Sequence, residues 1–330
     1  MRANIKKTTL MAVVVALFLF SAIAAGCKKD NVPITEPKFH TGTEGLYFEF
    51  PDNAPPDSVY ENNEFSVIMA MHNRGAYDIK KGVASLSFEN DYLTLENDNN
   101  VKIELKGKSL AAPEGERKRV VFKVKAKKIG KMSEKHEVMI IGNACYDYAT
   151  DTTETVCIDP DIYDADVADK ACEMKEVNVG GRGSPITIKS IDVKMASADD
   201  ENIRPEFIIR IENDGKGIAL NPAKIEDFCS DKKVTSKDMN VVYLTKLKFM
   251  GFEYNYNPGK DNKGNDFECF PNPVKLNEND DTTADYEITC ILKEGLMEKE
   301  PAFSTELYVR LEYGYSFSKS TKMEIRKILK

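Results

Sequence analysis

Tryptophan is absent from this 330-residue chain, and histidine occurs only three times, at positions 40, 72 and 136. Few side chains are therefore available for catalysis that depends on imidazole. The chain also lacks the HExxH, GxSxG and GxxxxGK[ST] motifs of common hydrolases and nucleotide-binding proteins. We accordingly predict that the protein is not an enzyme.

The chain has fewer basic residues than acidic residues. The chain carries 46 Lys and Arg residues against 54 Asp and Glu residues, a net charge of -8. Removal of residues 1–26 would take away three positive charges and shift this value to -11. A protein without a positive field cannot displace the counterions of phosphates, so nucleic acid is excluded as a partner.

A short apolar segment stands at the N-terminus, from Leu10 to Ala25, and three basic residues precede it, namely Arg2, Lys6 and Lys7. This arrangement is typical of an export signal. The segment ends in Ala24-Ala25-Gly26 before Cys27, which resembles the lipobox of prokaryotic lipoproteins, although Ala24 stands where Leu is usual. The resemblance implies cleavage before Cys27 and lipid attachment to its sulfur.

Two other interpretations of this N-terminus remain open. The apolar segment has the minimum length for an uncut anchor helix, or it is a secretory signal that leaves Cys27 free. Later in the chain no segment reaches 18 consecutive apolar residues. We therefore expect everything after position 27 to lie outside the membrane, on the extracellular face, with the lipid on Cys27 as the membrane contact.

The remaining six cysteines form an even set, as in proteins of oxidising compartments, and predict three disulfides. These residues are Cys145, Cys157, Cys172, Cys229, Cys269 and Cys290. Two pairs look like opposed positions in hairpins, Cys145 with Cys157 around Asp151 and Cys269 with Cys290. Parity then joins Cys172 to Cys229. No Cys-x-x-Cys pair is present, which argues against zinc.

Alternation of apolar and polar residues with period two dominates the chain after Gly45 and predicts many short strands. The fold class we predict is all-β, with two tandem immunoglobulin-like β-sandwich domains. The predicted order is a signal peptide (1–26), a lipid-anchored tether (27–43), sandwich 1 (44–160), an acidic and glycine-rich linker (161–183) and sandwich 2 (184–330).

A short motif recurs at a similar depth in both predicted domains. One alternating strand ends at Asn73-Arg74-Gly75 and another at Asn213-Asp214-Gly215. Asparagine followed by glycine suits a strand that leaves the sheet through a turn with positive φ. The recurrence favours two related domains.

An acidic run follows the first domain, with Asp159, Asp161, Asp164, Asp166 and Asp169. Calcium prefers several carboxylate or carbonyl oxygens on a flexible loop, so this run is a candidate calcium site. The alternative is a solvated acidic linker. No other cofactor is predicted.

Aromatic residues cluster at Phe249, Phe252, Tyr254 and Tyr256, before a turn at Asn257-Pro258-Gly259. Phe252, Tyr254 and Tyr256 form a candidate binding surface for protein or glycan. Packing across neighbouring strands explains the same pattern.

Several segments together resemble an uncharacterised group of exported surface proteins from small-genome archaea. The most specific of them is Cys145-Tyr146 with Val156-Cys157-Ile158-Asp159-Pro160. The predicted domains are also similar to the cell-adhesion-related domain, an immunoglobulin-like sandwich of bacteria. The resemblance implies export and tandem sandwiches, and it carries no catalytic residues.

These observations favour a membrane-anchored extracellular lipoprotein that acts as a non-enzymatic adhesion, binding or envelope-structural module. Its expected partner is a protein or glycan at the cell surface. The alternative is a lipoprotein that captures a solute or glycan for a transporter or enzyme. A solute-binding protein of the usual kind closes two α/β lobes on a cleft, and the required strand–helix alternation is missing.

Overall fold

The computed structural model describes residues 39–161, 170–198, 202–230, 232, 234–258, 260, 262, 264–276, 286–297 and 301–328. Cys27 and the predicted signal lie outside this range. Residues 38–330 form one compact unit. Nearly all of the regular structure is β, which confirms the predicted all-β class. Within the described ranges, no helix has the length and apolar character needed to cross a membrane.

Nineteen strands are described, and most of them follow the period-two burial that the sequence predicts. In chain order they are β1 (Leu46–Glu49), β2 (Ser58–Tyr60), β3 (Glu64–Asn73), β4 (Ile79–Phe88), β5 (Leu93–Leu95), β6 (Val101–Leu105), β7 (Arg117–Ala126), β8 (Lys135–Ile158), β9 (Val177–Gly180), β10 (Ile186–Ser197), β11 (Asn202–Asn213), β12 (Ile218–Leu220), β13 (Val241–Phe249), β14 (Phe252–Asn255), β15 (Phe267–Phe270), β16 (Val274–Lys275), β17 (Tyr286–Leu292), β18 (Leu296–Met297) and β19 (Phe303–Arg326). One short α-helix, α1, spans Ile225–Cys229, and short 3-10 helices span Pro222–Lys224 and Ser236–Asp238.

The strands form three sheets. The first small sheet has the order β1-β3-β7-β5, and the second small sheet has the order β15-β17-β11-β10-β9, with β18 beside β11. The long sheet has the order β14-β13-β19-β8-β4-β6, and β2, β12 and β16 pair at its margins. The pairs are antiparallel except that of β2 with β19.

Both small sheets pack on the same face of the long sheet, which we call its inner face. In the first half, Phe48 and Met69 crowd the backbone of Gly142 in β8. In the second half, the rings of Phe207 and Phe249 lie 5.0 Å apart between β11 and β13. Each half is therefore a sandwich of one small sheet and one end of the long sheet.

Two strands of 24 residues, β8 and β19, run through both halves and pair along their entire length, from Lys135↔Arg326 to Ile158↔Phe303. The prediction of two separately closed sandwiches is not confirmed, because strands from both predicted domains share this ladder. At about 3.3 Å per residue, each strand is roughly 80 Å long. Each of these two strands therefore contributes one end to the first half and the other end to the second half.

The structure pairs the six body cysteines as Cys145–Cys229, Cys157–Cys172 and Cys269–Cys290. The predicted pair Cys269–Cys290 is confirmed, and these residues lie opposite each other in β15 and β17. The predicted pairs Cys145–Cys157 and Cys172–Cys229 are wrong. Cys145 and Cys157 belong to one unbroken strand, where twelve residues separate them by roughly 40 Å.

The Cys145–Cys229 disulfide attaches α1 to the outer face of the long sheet, the face opposite the small sheets. Cys145 points outward from β8, and Cys229 ends α1. Val83 and Ile225 complete a small buried apolar cluster around them. The disulfide therefore covers part of a sheet face that would otherwise meet solvent.

Candidate binding site at the junction of the two halves

Four buried tyrosines mark the junction, the place where β8 and β19 pass from one small sheet to the other. Tyr146 pairs with Tyr315 and Tyr148 with Tyr313 across the ladder. Burial raises the pKa of Tyr146, Tyr148 and Tyr313 well above the usual range, and that of Tyr315 to about 12. All four phenols therefore stay protonated at neutral pH and serve as hydrogen-bonding groups.

In the first half, the Tyr148 hydroxyl binds the turn that follows β3. It donates to Oδ1 of Asn73 at 3.1 Å and accepts from the backbone N–H of Tyr77 at 3.4 Å. The Asn73 amide donates to the carbonyl of Tyr77 at 2.8 Å, and its Oδ1 also accepts from Gly75 N–H at 3.2 Å. The buried amide is thus satisfied inside its own turn.

The second half repeats these contacts. The Tyr315 hydroxyl donates to Oδ1 of Asn213 at 2.9 Å and accepts from Gly217 N–H at 2.8 Å. The Asn213 amide donates to the carbonyl of Gly217, and its Oδ1 accepts from Gly215 N–H. The two Asn-x-Gly motifs therefore occupy matching positions, as their recurrence in the sequence predicts.

The glycines of these motifs are required by space and not by backbone conformation. Gly75 and Gly215 are not among the residues with positive φ, contrary to our expectation. A Cβ atom on Gly75 would lie 1.9 Å from the Tyr148 hydroxyl, and one on Gly215 would lie 2.1 Å from the Tyr315 hydroxyl. Only glycine lets each tyrosine reach its asparagine.

The outer face of the junction holds a groove of about 600 Å³, the outer groove, between β4, β8, β19 and the segment before α1. Asp147 lies in it and accepts from the backbone N–H groups of Lys80 (3.0 Å) and Lys81 (2.7 Å). Burial raises the pKa of Asp147, and these hydrogen bonds only partly offset that effect.

Beside the outer groove, Asp151 is held by three side chains. Tyr77 donates to Oδ1 at 2.8 Å, and Tyr308 and Arg310 contact Oδ2 at 3.3 and 2.8 Å. Burial, and then the charge of Asp151, raises the pKa of Tyr77. Burial opposes the charge of Arg310, but its hydrogen bond with Glu312 leaves its pKa raised overall. These partners saturate Asp151, so the network is suited to holding the strands together.

The inner face of the junction holds a second cavity, of about 490 Å³, which we call the cationic cleft. It lies between β1, β19 and the turn after β11. Its charged lining residues are Arg74, Lys216 and Lys319 against Glu44 and Asp214, and Tyr47 and Phe317 supply aromatic surface. Three positive charges face two negative ones, although the whole chain is acidic.

Tyr47 organises two of these cations. The Arg74 guanidinium lies 4.0 Å and the Lys319 ammonium 5.3 Å from the centre of its ring. The Lys319 Nζ also donates to the Tyr47 hydroxyl at 3.3 Å. A cation is attracted by the face of an aromatic ring without being neutralised. The arrangement therefore holds two positive charges close together, and Glu44 pairs with Arg74 at 3.2 Å.

The calcium prediction concerns residues that lie mostly outside the described range, namely Asp164, Asp166 and Asp169. Asp159 is buried, and Lys170 donates to its Oδ2 at 2.6 Å and to the carbonyl of Asp161 at 3.1 Å. Lys170 therefore pairs with Asp159, and the calcium site stays a prediction. Among the described residues, no group of three or more His, Cys, Asp and Glu side chains could hold a metal ion.

The predicted aromatic surface is mostly internal packing. Tyr254 is only 5% exposed, and its hydroxyl accepts from the Asn272 amide at 2.9 Å. Tyr256 is half-buried and stacks on Tyr243, at 6.1 Å between ring centres. Phe252 is half-buried and lines a shallow depression near Tyr308. Tyr254 is therefore not a surface residue, because β14 turns it towards the body of the protein.

Sequence reasoning did not find the cationic cleft. The Asn-x-Gly repeat indicated matching turns, and these turns carry Arg74 and Asp214 into the cleft. Nothing in the spacing of Tyr47, Arg74 and Lys319 indicates that they meet. Pairing of β1 with β3 brings Tyr47 close to Arg74, and β19 carries Lys319 to them through its pairing with β8.

Comparison with known proteins adds little to this geometry. No protein-family model matches the chain, and no curated protein matches it in sequence. Among solved structures, the chain has a distant similarity to Spo0M, a sporulation control protein from Bacillus subtilis. That similarity covers 51% of this chain and 80% of Spo0M, at 9% identity and a TM-score of 0.15.

Proposed function

We propose that this protein is a membrane-anchored extracellular lipoprotein, attached through lipid on Cys27, that serves as a non-enzymatic binding or envelope-structural module. Its partner in this proposal is a protein or glycan of the cell surface. The observation that carries the proposal is the pairing of the six body cysteines into three disulfides. Such pairing is stable in an oxidising compartment and rare in the cytosol.

Two further observations support the proposal. The export-type segment before Cys27 would deliver the chain to that compartment. The shared ladder of β8 and β19 joins the two halves into one body, which suits a module that presents an extended surface.

Mass spectrometry of the protein purified from its native membranes tests the anchor. We expect an N-terminus at Cys27 that carries acyl chains, and no free thiols in the body. Cys27→Ala should abolish the acyl mass and release the protein from the membrane. The matched control Ser21→Ala leaves the predicted lipid acceptor in place and should behave as the wild type. An intact Met1 on a cytosolic protein with six free thiols would contradict the proposal.

A further inference from the structure

The junction is closed on one side and open on the other, although the same repeat builds both sides. On the closed side, Ser184 precedes β10, is fully buried and bonds to Thr150 at 2.8 Å. Its counterpart before β1 is Glu44, which turns outward to Arg74 (3.2 Å) and has 58% of its side chain exposed. The space that Ser184 fills on the closed side corresponds to the cationic cleft on the open side.

The two long strands carry different chemistry at matching positions on these two sides. Two and four residues beyond Tyr148, β8 has Thr150, which donates to the carbonyl of Ile186, and Thr152, which donates to Glu154 of the same strand. Two and four residues beyond Tyr315, β19 has Phe317 and Lys319. A ring and a cation therefore replace two self-satisfied hydroxyls. The open side is built differently, and its residues suit an external ligand.

The lining of the cleft specifies the chemistry of that ligand. An excess of one positive charge favours a single negative charge, and guanidinium is the group that best matches the planar carboxylate. Glu44 accepts from Arg74 at 3.2 Å, and Asp214 accepts from Thr187 at 2.6 Å and from Lys189 at 3.3 Å. Each carboxylate oxygen can accept a second hydrogen bond. Hydroxyl groups on the ligand would donate to these oxygens. A volume of about 490 Å³ suits a ring-sized molecule.

We propose that the cationic cleft binds an acidic sugar unit, with its carboxylate on Arg74 and Lys319 and its hydroxyls on Glu44 and Asp214. The ring of the sugar lies beside Tyr47 and Phe317. This assignment of a ligand class rests on the proposed function, because a protein displayed outside the cell is the one that meets surface glycans. It identifies a glycan, rather than a protein, as the partner.

Calorimetric titration of the purified protein with D-glucuronate tests this assignment, and glucose serves as the neutral comparison. We expect binding of glucuronate and none of glucose. Arg74→Gln and Lys319→Gln should each weaken the affinity for glucuronate roughly 10-fold or more, as expected for loss of a charge-assisted hydrogen bond. Lys322→Gln removes the same charge from the same strand, outside the cleft, and should leave the affinity unchanged.

Thermal unfolding of each variant separates loss of the site from loss of the fold. Absence of glucuronate binding at millimolar concentration by the folded wild type would overturn the assignment. Equal binding of glucose or of inorganic phosphate would overturn it as well, and so would a Lys322→Gln effect equal to that of Lys319→Gln. If the lipid anchor is found and glucuronate does not bind, only the ligand assignment fails. If glucuronate binds and Cys27 carries no lipid, the anchor fails.

Discussion

Tyr148, on the inner face of the long sheet, donates a hydrogen bond at 3.1 Å to Oδ1 of Asn73, the residue at which β3 ends. Tyr315 makes the same bond to Asn213 at 2.9 Å. Each bond ties a small sheet to a strand that serves both halves. The stability of the two halves is therefore coupled through two pairs of equivalent residues.

Removal of the hydroxyl from Tyr148 should destabilise the protein about as much as its removal from Tyr315. Tyr148→Phe and Tyr315→Phe each leave a buried amide oxygen and a backbone N–H with one partner fewer. We expect a loss of about 1–2 kcal/mol in the free energy of unfolding, measured by urea denaturation. Tyr60→Phe, on a side chain that is half exposed, should have no measurable effect. Full stability of Tyr148→Phe would show that the bond to Asn73 contributes nothing.

A methyl group at Gly75 or Gly215 should force the adjacent tyrosine out of its position. Gly75→Ala and Gly215→Ala should lower the free energy of unfolding by about 2–4 kcal/mol, because the contacts at 1.9 and 2.1 Å cannot persist. Gly130→Ala is the matched control, since its nearest neighbour lies at 3.9 Å. If all three variants unfold at the same urea concentration, the close approach of the tyrosines is contradicted.

Peptide mapping under non-reducing conditions should recover Cys145 joined to Cys229 and Cys157 joined to Cys172. Recovery of a Cys145–Cys157 peptide would mean that β8 folds back as a hairpin. Replacement of both Cys145 and Cys229 by Ala should cost about 2–4 kcal/mol of stability, because the disulfide restricts a long loop in the unfolded chain. Hydrogen exchange should then increase in α1 more than in β15 and β17, where Cys269–Cys290 is retained.

The stability of the protein should decline steeply at alkaline pH. The pKa of Tyr315 is raised to about 12 by burial, above an unfolded value of about 10. Its contribution is complete below pH 10 and is lost as the pH rises through 12. Phenolate absorbance and circular dichroism recorded together should show the buried tyrosines ionising only as the fold is lost. Free titration of every tyrosine near pH 10 in the folded protein would refute their burial.

Asp147 should destabilise the protein when it is ionised. Burial raises its folded pKa above the unfolded value, so its favourable contribution is present at acid pH and is lost as the pH rises through that folded pKa. Asp147→Asn keeps an acceptor for the N–H groups of Lys80 and Lys81 without the charge. We expect this variant to exceed the wild type in unfolding temperature at pH 7, and by less at pH 3. The exposed Asp52→Asn is the control, and an identical response of both variants would contradict the prediction.

Some features of the fold follow from local chemistry, and sequence patterns predicted them. Period-two alternation in β3, β7 and β17 placed apolar side chains on one face, which is a property of the pleated backbone itself. The opposition of Cys269 and Cys290 depends on a short span between neighbouring strands. The Asn-x-Gly motifs indicated matching turns, because asparagine bonds within its own turn wherever that turn lies.

The continuity of β8 is a feature that the sequence pattern concealed. Thr-Asp-Thr at 150–152 suggested a turn, yet each of these residues pairs with β19, from Thr150↔Leu311 to Thr152↔Val309. Threonine also favours extended structure, and a partner strand of equal length decides between the two outcomes. That partner lies more than 150 residues away, so no local pattern could report it. The same reason explains the wrong pairing of Cys145.

By itself, the sequence determined the all-β class, the even number of cysteines available for pairing, and the acidic net charge. These depend on residue type and on spacing within a few positions. Tertiary structure alone decided the partners of Cys145 and Cys157, that the two halves share one sheet, and that Tyr47, Arg74 and Lys319 line a single cleft. The shared sheet depends on the register of β8 against β19, which sums weak contacts over 24 paired residues in strands far apart along the chain.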